Sequence, residues 1–196
     1  MSQFTWQGQR LSYWDHPYNN TRNNERAVEL PIVGAWLGWE EVRPGLEVGN
    51  VLGHYRAPWP RRVVDLYEQA EGVENIDVLD IEGRFPWIVS VSTVEHVGRD
   101  DDTDRPWAAA AAIRHLYGLL EPGGRMLVTC PFGYNEHLDA AIVGYELGVT
   151  RQTVLRRQHH AARLPQWWPA PVEPVPYDSQ HASAAAVWIG EWVAYG

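Results

Sequence analysis

The sequence predicts an α/β fold: a mostly parallel sheet with helices on both faces, closed by a C-terminal antiparallel strand pair. Three observations predict it. Short β-branched runs alternate with helical or loop crossovers through the middle of the chain, the pattern of a parallel sheet covered on both sides. The run Trp87-Ile88-Val89-Ser90-Val91-Ser92 is continuous enough for a strand buried on both faces. In the tail, strand-like runs Val154–Gln158 and Val187–Val193 flank a proline-rich loop, Leu164–Pro176, which suits a closing antiparallel pair.

Taken in order, residues 1–20 form a polar and aromatic arm without periodicity. Residues 21–37 are a leading helix, capped by Thr21 or Asn24, with apolar positions Val28, Ile32, Ala35 and Trp36; Pro31 is expected to kink or restart it. Arg43-Pro44-Gly45 turns the chain into a first strand, Leu46-Glu47-Val48, which ends at Gly49. Val63-Val64-Asp65, Ile76–Leu79 and Trp87–Ser92 are the next three strands. Pro106 suits a first helical turn, and Trp107–Leu120 reads as a helix driven by the alanines from Ala108 to Ala112. Glu121-Pro122-Gly123-Gly124 stops it, and Arg125–Cys130 is the fifth strand. With no repeat and no linker, residues 1–196 read as one domain. It comprises the arm (1–20), the leading helix (21–37), a core (44–131), and substrate-side loops with the closing strands (132–196).

Composition narrows the chemistry. The net charge is −9 over 196 residues, and all 16 cations are arginine. Without lysine there is no Schiff-base chemistry and no P-loop lysine. The acidic balance argues against a nucleic-acid partner, and no stretch approaches the roughly 20 apolar residues of a membrane span. A cytoplasmic location is expected. The one cysteine, Cys130, supports neither an intrachain disulfide nor a cysteine zinc cluster. Of the 11 tryptophans, Trp36, Trp87, Trp188 and Trp192 lie in periodic segments and read as core. Trp14, Trp59, Trp167 and Trp168 fall in loops, where a large ring needs a partner: the apolar face of a sugar, or a homodimer contact.

The stretch Leu46-Glu47-Val48-Gly49-Asn50-Val51-Leu52-Gly53 places an acid near a strand end before two glycines, so the backbone can turn tightly against a ligand. It lacks the G-x-G-x-x-G of a dinucleotide site. Asp65 ends the second strand, where an acid can hold two ribose hydroxyls, with Glu68 as its competitor. Asp77, with Asp80 as its competitor, is placed to meet an adenine amine. Ser92-Thr93-Val94-Glu95-His96-Val97 follows the fourth strand, and Leu119-Leu120-Glu121-Pro122-Gly123-Gly124-Arg125 precedes the fifth.

In this order and spacing, the segment from Glu25 to Pro131 resembles the Rossmann-like class I S-adenosylmethionine-dependent methyltransferases. It departs from them in carrying Val51 where the loop usually has a middle glycine, a proline-rich 54–60 where a helix usually follows, and Phe85-Pro86-Trp87 where an aspartate commonly opens the strand. The segment from Tyr18 to Glu29 resembles the leading helix of small members found with glycan and natural-product genes. Sugar O-methyltransferases of the methylmannose polysaccharide type are the nearest match. The resemblance implies that Tyr18, Thr21, Glu47, Gly49, Asn50, Gly53, Asp65, Asp77 and Ser92 bind S-adenosylmethionine, with S-adenosylhomocysteine as product. The carboxylate of Glu47 would receive an ammonium or hydroxyl group. His96 or His137, supported by Glu95, would take a proton from a hydroxyl of a small acceptor, expected to be a carbohydrate. Glu95-His96 could instead bind a divalent cation, but relatives that do so carry Glu-x-x-Glu-His and here the first position is Ser92. Two other readings stay open: a methyltransferase-shaped binding protein without catalysis, and methylation of nitrogen or carbon.

Overall fold

A computed structural model describes residues 2–38, 43–100, 105–158, 165–173, 175–177 and 183–196. The chain opens with a hairpin, β1 (Gln3–Trp6) and β2 (Gln9–Ser12), where a featureless arm was expected. Its two-residue turn has Gln7 and Gly8 both at positive φ, the geometry that matches the twist of paired strands. A helical-turn segment, Tyr18–Asn23, leads into helix α1 (Arg26–Leu37). Pro31 does not break α1. The carbonyl that its missing N–H leaves without an intrahelical partner, on Ala27, accepts the Trp14 N–H at 2.9 Å, so the hairpin arm completes the helix.

The sheet contains β3 (Gly45–Val48), β4 (Arg61–Val64), β5 (Val73–Glu74), β6 (Phe85–Val91), β7 (Leu120–Pro131), β8 (Arg151–Gln158), β9 (Gln166–Ala170) and β10 (Ala186–Val193). Their order across the sheet is β5-β4-β3-β6-β7-β10-β8-β9. The five strands from β5 to β7 are parallel, and β10, β8 and β9 each pair antiparallel with their neighbours. The order reverses between β3 and β6, so a crevice opens beyond their carboxyl ends, where open α/β sheets bind ligands. The third strand lies at Val73–Glu74, and the Ile76–Leu79 run expected to form it continues instead into a 3₁₀ turn, Val78–Asp80. The proline-rich loop likewise contains a strand, β9, among its described residues.

Helix α2 (Val51–His54) follows β3 and lasts one turn, α3 (Ala108–Gly118) crosses from β6 to β7, and α4 (Glu136–Val143) follows β7. Asn135 caps α4, its side chain accepting the Leu138 N–H at 3.0 Å. All seven residues of β6 are buried. Ile88 joins Met126, Val128 and Trp188 beneath α3 and α4. Trp87, Val89 and Val91 face the opposite layer, built from α1 and the hairpin through Val28, Ile32, Phe4 and Trp6. A Cβ at Gly45 would overlap the ring of Trp87, so only glycine lets β3 lie against it. Trp87, Trp188 and Trp192 are core as expected, whereas Trp36 is half-buried beneath the Arg125 guanidinium. Trp59 and Trp167, expected in open loops, are buried at 7% and 1% exposure. Trp14 and Trp168 remain exposed.

Candidate cofactor and acceptor site

Two adjoining cavities lie at the switch point. The first, of about 250 Å³, is lined by residues that include Gly49, Asp65, Ile76, Asp77, Val78, Ser92, Thr93, His96 and Val97. The second, of about 170 Å³, is lined by Tyr18, Asn19, Arg26, Gly49, Asn50, Asp65, Glu68 and Thr93 among others. Gly49, Asp65 and Thr93 belong to both, so the two form one crevice across the carboxyl ends of β3, β4 and β6. Gly49 sits at φ +86°, and a Cβ there would overlap the Thr93 hydroxyl, so this floor is open only because the residue is glycine.

Each acid along the crevice is fixed differently. Asp65 Oδ1 accepts the amides of Tyr67 (2.9 Å) and Glu68 (2.8 Å), which closes the turn after β4. Glu68 is tied to Asn50 Nδ2 (2.6 Å) and His54 Nε2 (3.1 Å). Asp77 caps the next turn through the Leu79 amide (3.0 Å) and meets Arg105 Nη2 at 3.3 Å; it lines the first cavity and Asp80 does not. Tyr18 stacks on His54 with ring centroids 4.6 Å apart.

Several expected residues lie elsewhere. Glu47 is fully buried inside the sheet, where it accepts the Leu52 amide (2.6 Å) and pairs with Arg61. Burial pushes its carboxyl above the usual range, against the pull of Arg61. It braces the loop from beneath, and lines neither cavity. Gly53 packs on Asn50 from α2, with no place in either wall. Thr21 is buried behind Tyr18, donating to its carbonyl (2.6 Å) and sharing a hydrogen bond with the Tyr55 hydroxyl (2.8 Å). His137 is exposed in the first turn of α4, 4.0 Å from Glu136, and lines neither cavity.

A polar cluster lies under the crevice, and it adds Arg26 and Glu29 to the expected Ser92, Glu95 and His96. Glu29, fully buried, accepts the hydroxyls of Ser92 (2.6 Å) and Thr129 (2.7 Å) and pairs with Arg26. Burial works against the charge on Arg26, but Glu29 and Glu25 together raise its pKa and keep it protonated. Glu95 is 1% exposed, and neither carboxylate oxygen has a hydrogen-bond partner. Its environment, dominated by desolvation, pushes the carboxyl well above the ordinary range. His96, on the wall of the first cavity, bonds Asp100 through Nδ1, while its Nε2 stands 3.6 Å from Glu95 Oε1. Sequence signals for this cluster existed. Glu29 interrupts the apolar face of α1, and Arg26 precedes it by one helical turn.

Among the described residues, no group of three or more His, Cys, Asp or Glu side chains is arranged to hold a metal ion. No helix there is long and apolar enough to cross a membrane. The strand order and the switch-point crevice give the chain a Rossmann-like fold, the architecture also found in class I S-adenosylmethionine-dependent methyltransferases. No protein-family model matches the sequence, and no curated protein is a detectable relative. Among solved structures, the chain is similar to the N-methyltransferase NodS from Bradyrhizobium japonicum WM9, at 14% identity and a TM-score of 0.55, over 88% of this chain and 97% of that one. It is also similar to the same enzyme in complex with S-adenosyl-L-homocysteine, at 13% identity and a TM-score of 0.54, over 87% of each chain.

Proposed function

We propose that the protein is an S-adenosylmethionine-dependent methyltransferase acting on a small acceptor. The observation that carries this reading is the joined crevice at the β3/β6 switch point, with a glycine floor and a carboxylate at each of the next two strand ends. Ile76, Val78 and Val97 offer apolar walls to a purine, and Asp77 accepts from its exocyclic amine. Asp65 accepts from ribose hydroxyls at the junction of the cavities. Asn50, Tyr18 and Arg26 line the amino-acid end, where the Arg26 guanidinium faces a carboxylate. Asp65 and Glu68, on the walls of the second cavity, favour a bound sulfonium.

S-Adenosylmethionine, when bound, supplies an electrophilic methyl group on sulfur. The chain's own residues supply alignment for an in-line displacement and a place for the acceptor's proton. His96 takes that proton on Nε2, the nitrogen that also stands 3.6 Å from Glu95 Oε1, while Asp100 on Nδ1 fixes the ring. A hydroxyl acceptor needs this base most. Of the four tryptophans offered as sugar partners, Trp14 and Trp168 (the latter in β9) are exposed, and neither lines the crevice. The test is transfer of a radiolabelled methyl group from S-adenosylmethionine to a panel of glycosides, phenols and amines. Transfer that falls at least tenfold in His96→Ala on a hydroxyl acceptor supports the reading. Absence of both transfer and cofactor binding overturns it.

A further inference from the structure

A larger cavity, of about 560 Å³, lies beside α1, outside the crevice. Its walls include Trp14, Leu30, Pro31, Gly34, Tyr55 and Trp59. The chain makes this space by stopping α2 after one turn: Pro58 and Pro60 cannot continue a helix, so residues 55–60 pass alongside α1 without helical structure and leave the room a longer helix would fill. Opposite, α1 contributes Pro31 and Gly34, which have little side chain to occupy it.

Several polar groups on these walls are already engaged. The Tyr55 hydroxyl is bonded to Thr21, Trp59 Nε1 donates to the Gly38 carbonyl (2.8 Å), and the Tyr13 hydroxyl accepts the Trp167 amide (2.9 Å). The carbonyl freed by Pro31 is taken by Trp14. Ring faces and hydrocarbon make up most of the lining, with Ser12 and Arg56 as further polar members, so a polyhydroxylated guest would leave most of its hydroxyls unpaired at a cost. The volume falls in the range of ordinary ligand pockets. Tyr55 also lines the second cavity of the crevice, so it is a wall shared by the apolar chamber and the amino-acid end of the proposed cofactor site.

From this arrangement we infer that the chamber seats the body of the methyl acceptor, a small planar aromatic molecule whose nucleophilic group passes Tyr55 into the crevice. The assignment of the guest as acceptor rests on the methyltransferase reading. The probe is 2-naphthol, titrated calorimetrically into wild-type protein, Gly34→Ala and Gly34→Leu, with S-adenosylhomocysteine titrated into each in parallel. Among atoms outside its own helix turn, a Cβ at Gly34 meets only Trp59 Cη2, at 3.8 Å, so alanine fits there and the leucine starts from a position on the chamber wall, and either replacement favours the helix.

The expected result is saturable one-to-one binding of 2-naphthol by wild-type and Gly34→Ala protein, at least tenfold weaker in Gly34→Leu, with S-adenosylhomocysteine affinity unchanged within twofold throughout. Wild-type protein that binds S-adenosylhomocysteine but not 2-naphthol overturns the inference, as does 2-naphthol binding that Gly34→Leu leaves intact. Tighter, leucine-sensitive binding of methyl α-mannoside or octan-1-ol overturns the aromatic assignment. Binding of 2-naphthol without S-adenosylhomocysteine overturns the methyltransferase reading, and the acceptor role with it.

Discussion

Replacing Asp65 with asparagine isolates one proposed contact of the cofactor. The turn after β4 uses only Oδ1, which accepts the amides of Tyr67 and Glu68, and the side-chain amide of Asp65→Asn would keep that oxygen. The other carboxylate oxygen becomes an NH₂ group, which cannot accept a ribose hydroxyl. Glu68 cannot stand in, because Asn50 and His54 hold it. A hydrogen bond to a charged group contributes about 1.5–3 kcal/mol. At about 1.4 kcal/mol per factor of ten, S-adenosylhomocysteine should bind roughly 10- to 150-fold more weakly. Calorimetric titration of wild-type and Asp65→Asn protein measures this, with melting temperature as the control for the turn. Affinity within about twofold of wild type, at unchanged stability, would refute the assignment of Asp65 to the ribose.

Three further outcomes follow from the buried groups. Glu29→Gln leaves Arg26 charged and loosely paired under the crevice, so it should cost about 3–5 kcal/mol in denaturant unfolding; a loss under about 1 kcal/mol contradicts the pairing described. Glu95, whose folded-state carboxyl is held well above its unfolded value, lowers stability progressively as pH rises above the ordinary glutamate range. The melting-temperature advantage of Glu95→Gln over wild type should therefore grow between about pH 5 and pH 8, and a difference constant across that window is inconsistent with a carboxyl desolvated by burial. Trp167→Ala should destabilise by about 3–5 kcal/mol as a core truncation, where a ring used only to stack on a sugar would cost almost nothing.

How much of this was readable beforehand depended on the number of residues carrying each signal. β6 declared itself because seven consecutive residues are buried on both faces, and α3 because its alanines admit little else. The β1–β2 hairpin alternates correctly, with Phe4 and Trp6 inward, but over only four residues and around a Gln7-Gly8 turn that is not a usual hairpin signal. β9 was concealed by Pro169, which a strand tolerates here because β9 ends the sheet and needs no partner on its outer side. In the site, Asp65 and Ser92 directly follow β4 and β6, and the parallel sheet aims those strand ends at the crevice, whereas Asp77 and His96 reach its wall from short helical turns that no strand end fixes. Glu47 was misread because its position at a strand end does not reveal that Arg61 on the neighbouring strand claims it. Arg26 and Glu29 went unread because pairing through the α1 face depends on tertiary packing against Ser92 and Thr129, which lie 63 and 100 residues away from Glu29.

The central claim is that the switch-point crevice holds S-adenosylmethionine, and its most direct test is a calorimetric titration of the wild-type chain with that molecule, repeated on Gly49→Ala. Gly49→Ala would put a Cβ onto the Thr93 hydroxyl at a backbone angle that disfavours side chains. The account predicts saturable one-to-one binding by wild type and its loss in Gly49→Ala. No saturable heat from wild type up to millimolar cofactor, or equal binding by the two proteins, would contradict it.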